Sequence, residues 1–162
     1  MKNVILTAAI TLGTFVFANA QSTSSVSQTV TLTLQNSITL SITAATGTGF
    51  TFATTNDYQN SLTNTNASSF SVSSNRPWAV TVAAAAANFS GPASPAPVMP
   101  ASALNWRLNG GSTFAGLSTT AASLTSGARG TSTFSVDYKA NPGFGYDAGT
   151  YTMAVVYTAT QQ

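Results

Sequence analysis

Asp57, Asp137 and Asp147 are the acidic side chains of this sequence, and they bound the chemistry it could perform. Two facing carboxyls could cleave a glycosidic bond. Asp137, Asn141 and Asp147 fall on one stretch, and clustered oxygen ligands could hold calcium, although the spacing matches no calcium loop. The plainer expectation is that all three serve turns and caps. The chain has no histidine and no cysteine, so the commonest general base and the best thiol nucleophile are missing. Ser-His-Asp triads and Cys/His zinc sites are excluded outright. These absences predict a protein that is not an enzyme, with no cofactor and no catalytic or metal-ligating residue.

Two further groups could bind rather than react. Lys139 is the one lysine besides Lys2, and Asp137 precedes it by two positions on the same strand face. The expectation is an exposed ion pair worth under ~1 kcal/mol. Trp78, Trp106, Tyr58 and Tyr146 could form a platform for sugar stacking. Trp78 shares strand parity with Val80 and Val82, and Trp106 with Leu104 and Leu108, so core packing is expected for both tryptophans. Phe144 and Tyr146 sit in a glycine-rich loop and stand as candidate ligand contacts. Asn66-Ala67-Ser68 and Asn88-Phe89-Ser90 match the glycosylation sequon, a pattern that arises by chance in so Ser/Thr/Asn-rich a chain.

The elements that must position these residues read as all-β. Alternating runs rich in Thr, Val, Phe and Tyr are punctuated by Gly, Pro, Asn and Ser. They predict strands at 26–34, 37–43, 49–54, 69–74, 77–84, 103–108, 132–139 and 150–159. Asn109-Gly110-Gly111 and Asn141-Pro142-Gly143 supply turns. Gly91 to Pro100 carries four prolines and reads as an extended surface loop. Many short strands with regular turn signals predict an antiparallel β-sandwich over 35–162.

Residues 1–20 read as a secretory signal peptide. Lys2 is followed by an apolar run from Val4 to Phe17, and Ala18-Asn19-Ala20 fits the cleavage pattern. No other stretch has the length to span a bilayer as a helix. With Lys2 removed, Arg76, Arg107, Arg129 and Lys139 oppose three aspartates. So small a charge cannot steer nucleic acid, and no nucleic-acid partner is expected. It also removes the repulsion that keeps chains apart, which suits a subunit meant to associate and equally a protein whose Thr, Ser and Asn hydrate its surface. After the signal comes an amphipathic stretch, 21–34, with Val26, Val30, Leu32 and Leu34 on even positions and polar residues between them. The parity continues through Ile38, Leu40 and Ile42, so this strand could fold onto its own domain or pair elsewhere.

Four segments resemble the cysteine-free pilins of alternate chaperone–usher fimbriae. Val26-Ser-Gln-Thr-Val-Thr-Leu-Thr-Leu34 is similar to their donor strand. Val72-Ser-Ser-Asn-Arg-Pro-Trp-Ala-Val-Thr-Val82 is similar to a core strand pair. Val98-Met-Pro-Ala-Ser-Ala-Leu-Asn-Trp106 is similar to a Met-Pro loop and the strand after it. Ala148-Gly-Thr-Tyr-Thr-Met-Ala-Val-Val-Tyr157 is similar to a closing strand, and this ending also resembles other secreted immunoglobulin-like surface sandwiches. The resemblance implies an immunoglobulin-like sandwich completed by the N-terminal strand of a neighbouring subunit. Val26, Val30, Leu32 and Leu34 would be the donated side chains, with the polar Gln28 in a slot where an apolar residue is expected. It further implies a fibre at the cell surface, identical or related subunits as partners, and a periplasmic chaperone and outer-membrane assembly protein. The alternative expectation is a monomeric secreted sandwich that binds a carbohydrate or another ligand.

Overall fold

The structure is a computed structural model, described for residues 22–92 and 97–162. The predicted signal peptide lies outside the described residues, as do positions 93–96 of the proline-rich loop. The chain divides into two units, one ending at Thr33 and one running from Leu34 to Gln162.

The second unit is an all-β antiparallel sandwich. Its strands are β1 (Ile38–Ala44), β2 (Leu62–Ser74), β3 (Trp78–Ala84), β4 (Leu104–Leu108), β5 (Ala115–Gly116), β6 (Ala122–Gly127), β7 (Gly130–Ala140) and β8 (Val155–Gln161). One short helix, α1 (Thr55–Asn60), precedes β2, and a 3-10 turn, Ala101–Ala103, precedes β4. The first sheet has the order β1-β2-β7-β4-β5 and the second β6-β3-β8. Every pairing is antiparallel.

Period-two alternation builds the core. Phe70 and Val72 of β2, Val136 and Tyr138 of β7, and Trp106 of β4 face inward from the first sheet. Trp78, Val80 and Val82 of β3 and Leu124 of β6 meet them from the second. Phe70 links the layers: it stacks on its cross-strand partner Phe134 and meets the Tyr157 ring at 4.4 Å. The tryptophans are buried as their parity predicts. The Trp78 indole N–H is buried without a hydrogen-bond partner among the described residues.

Four sequence expectations need correction or extension. No strand forms over 26–34, which has no ladder partner among the described residues. No strand forms over 49–54 either. The Asn64 side-chain amide donates to the carbonyls of Gly47 and Gly49, and Thr54 turns the chain into α1. Thr54 and Asp57 form a reciprocal capping box, a Thr-x-x-Asp signal legible in the sequence. Third, β8 starts at Val155 rather than at 150, and its predecessor Thr152 makes an isolated bridge to Ser90. Finally β6, Ala-Ser-Leu-Thr-Ser-Gly, reads as loop by composition. It is a strand because β3 supplies its partner and Leu124 anchors it.

Gly127 of β6 sits directly opposite Trp78. A Cβ there would lie 2.5 Å from the indole ring. Gly127→Ala is therefore expected to destabilise the domain by about 1–3 kcal/mol through overpacking. Equilibrium denaturation checks this; unchanged stability would contradict the close approach.

Candidate functional site

The two long sides of the sandwich differ. On one, the chain crosses between layers: Leu117 is buried, its N–H donates to Leu104 of β4, and the carbonyl of Ser118 accepts from Ala84 of β3. On the other, β1 and β8 are the edge strands of their sheets. Among the described residues β8 pairs with β3 alone. Its inward side chains Val155, Tyr157 and Ala159, with Met153 before them, pack on the core but stay half-exposed, as do Ile38 and Leu40 of β1. The equivalent β3 side chains, Val80 and Val82, are buried. An open sheet edge beside incompletely covered apolar side chains is a template for an added strand.

At one end this side is tied. The Gln161 amide donates to the Ser37 carbonyl, the Ser74 hydroxyl and the Asn75 side-chain oxygen. Asn75 in turn donates to the carbonyls of Ser37 and Gln35. The chain thus enters the sandwich beside the end of β8. Ahead of that entry Val26, Val30, Leu32 and Leu34 are 73–99 % exposed, and Gln28 is exposed as well.

Asp137 forms a second cluster, on the outer face of the first sheet. The predicted exposed pair with Lys139 is not what forms. Asp137 is fully buried, and its ionic partner is Arg107, directly across the β4–β7 ladder, with Nε 2.9 Å from Oδ2. Asn109 and the backbone N–H of Asn66 donate to the other oxygen, each at 2.9 Å. Asn66 adopts a positive φ of 51° where β2 bulges, which turns its N–H toward the carboxylate. Burial pushes the Asp137 carboxyl up, but the hydrogen bonds from Asn109, Asn66 and Arg107 outweigh it and hold it below its ordinary value. Arg107 also lies over the Phe114 ring at 4.3 Å, and Lys139 caps the same ring at 5.9 Å. No sequence spacing links Asn66, Arg107 and Asn109 to Asp137; strand register brings them together.

The three aspartates do not gather. Asp57 caps α1, its carboxylate accepting from Ala53 and Thr54 N–H groups that hold it below the usual range. Asp147 lies in the 141–150 loop, its carbonyl accepting from the Tyr151 hydroxyl. Among the described residues no three potential metal ligands converge. A polar depression of about 500 Å³ lined by Ser69, Asn109, Thr133 and Ser135 contains no acid or base. Across the core the hydroxyls of Tyr138 and Tyr157 hydrogen-bond each other and so join the two sheets. Burial, the largest cause, raises both phenols above their ordinary value.

Of the predicted sugar-platform residues, Trp78 and Trp106 belong to the core, while Tyr58 meets Phe144. Their rings stack with centroids 5.3 Å apart and planes 26° from parallel. Phe52 also packs against Tyr58, with ring centroids 5.2 Å apart and planes tilted by 45°. Phe144 is 64 % exposed. Tyr146 is half-buried and meets Tyr151 edge-on.

No protein-family model matches this chain, and no curated protein matches it.

Proposed function

We propose that this chain is a non-catalytic structural subunit of an extracellular fibre, assembled by strand donation. Residues 26–34 of one copy lie against the free edge of β8 in the next. The observation that carries this reading is the open β1–β8 side of the sandwich, paired in one sequence with an exposed segment of the right alternation. Nine extended residues reach about 30 Å, enough to cover a seven-residue strand. Each inserted Val or Leu would contribute about 1.5–3 kcal/mol of apolar burial.

Chain direction favours a neighbour as donor. Because Ser37 sits beside Gln161, a segment folded back from the same chain would run parallel to β8. A segment from another copy can run antiparallel, the more stable pairing, and needs no reversal at Gln35–Ser37. Donation from head to tail does not close on itself, so it yields a filament. The reading includes secretion after removal of residues 1–20, an incomplete immunoglobulin-like fold, and a chaperone that covers the open side before assembly.

Light scattering and negative-stain microscopy of the protein from Gln21 onward test this. Filaments are expected, and they should vanish when residues 21–34 are deleted. A stable monomer with and without those residues would overturn the proposal.

A further inference from the structure

We propose that Phe144, backed by Tyr58 and Phe52, is a stacking platform for a neutral pyranose sugar, so that the subunit also binds glycans. The site goes beyond the fibre reading and shares no residue with the open edge.

Three rings from two distant segments form one cluster. Phe52 and Tyr58 come from the segment around α1, and Phe144 comes from the loop between β7 and β8. Each segment is fixed by its own devices. The Thr54–Asp57 box starts the helix that carries Tyr58. The Tyr58 hydroxyl donates to the carbonyl of Phe52, which locks these two rings together. Gly143, at a φ of +62°, makes the turn that delivers Phe144. Phe144 rests one face on Tyr58 and yet remains largely exposed, an arrangement that leaves a large apolar ring in water. For an isolated ring this is unremarkable, but here the ring is already immobilised, so a ligand stacking on it loses little further conformational freedom.

Charge selects the ligand class. The 141–150 loop carries Asp147, three positions beyond Phe144, and segment 52–60 carries one charged side chain, Asp57. Its carboxylate is engaged by the Ala53 and Thr54 N–H groups. No cation on these segments would receive an anionic ligand. Amides are present: Gln59 and Asn141 are exposed on the same two segments, beside an exposed pair in which the Asn60 amide donates to the Asn56 carbonyl and side-chain oxygen. A flat ring with primary amides on the same two segments suits a pyranose, whose axial C–H groups pack on an aromatic face while its hydroxyls take up amide donors and acceptors.

Saturation-transfer NMR on the purified protein tests the assignment, with cellohexaose, maltoheptaose, xylohexaose and chitohexaose as probes. At least one is expected to receive magnetisation at its axial C–H protons. Phe144→Ala should weaken that binding by about tenfold or more, the scale of one lost aromatic contact. Phe144→Trp should retain it, and Arg129→Ala in the exposed turn between β6 and β7 should leave it unchanged. Circular dichroism will confirm that the exposed-site variants fold. No transfer to any probe, transfer unaffected by Phe144→Ala, or binding confined to a proline-rich peptide control would each overturn the proposal. Filament formation is read separately, so failure here leaves the assembly reading standing.

Discussion

Asp137→Ala is expected to destabilise the sandwich by about 3–5 kcal/mol, the scale for breaking a buried pair by removing one partner. The carboxylate has no exposed surface and accepts from Asn66, Asn109 and Arg107. Its loss strands three donors, two of them on side chains that no longer have a reason to stay in place. Arg107 is partly exposed and can turn to water when Asp137 is lost, whereas Arg107→Met leaves the fully buried carboxylate with only its neutral donors Asn66 and Asn109, so it should be strongly destabilising as well. Urea denaturation of the two variants and their combination measures the coupling. If the double variant lost the sum of both effects, the two residues would not be acting as a pair.

The same cluster sets a pH dependence. The folded-state value of Asp137 is depressed below the ordinary value of 3.8. Its contribution is therefore complete above about pH 4 and is lost as pH falls through the depressed folded value. Asp57 is depressed too and acts in the same window. Wild-type stability should fall steeply below pH 4, and Asp137→Asn should make that fall shallower without abolishing it. An unchanged slope would mean that Asp137 is not the charged partner described above.

The second large effect concerns the open edge. A synthetic peptide of residues 22–36 is expected to stabilise protein lacking 21–34. At a hundredfold excess over its dissociation constant, mass action gives about 2.7 kcal/mol. For a domain of this size that is a rise in Tm of about 10 °C. A peptide with Leu32 and Leu34 replaced by Asp should raise Tm far less, because two charges would enter apolar pockets. Scanning calorimetry reads both. No shift with the native peptide, or equal shifts with both, would show that β8 does not accept this strand.

The sequence discloses most of the inward-facing side chains, because strand parity is a local property. Val80, Val82 and Trp78, or Leu104, Trp106 and Leu108, declare their shared face within a few residues. What stays hidden depends on partners distant in the chain. Asp137 looks like a companion of Lys139 because they are near neighbours in sequence. Arg107 takes that place through the β4–β7 register, and Asn66 through a bulge in β2. The strand β6 escapes notice because its small polar residues carry no β signal apart from Leu124. Phe144 is legible as an exposed loop aromatic, whereas its support by Tyr58 and Phe52 is not. The helix that presents Tyr58 follows directly on a stretch where alternating Phe50 and Phe52 suggest a strand.

The amide of Gln161 reaches Ser37 across 124 positions of sequence. The middle strand of the smaller sheet, β3, gains its second partner only when β8 arrives. Contact order this high belongs to slow folders, on millisecond-to-second timescales. A chain emerging from the ribosome can assemble the hairpin of β1 and β2 early, yet has no means of closing either sheet until its late strands are made. Throughout that interval β3 presents a raw edge and Phe70 lacks its cover from Tyr157. The nascent chain is therefore most prone to aggregation while these late strands are still missing, and a truncation before Val155 would hold it permanently in that condition.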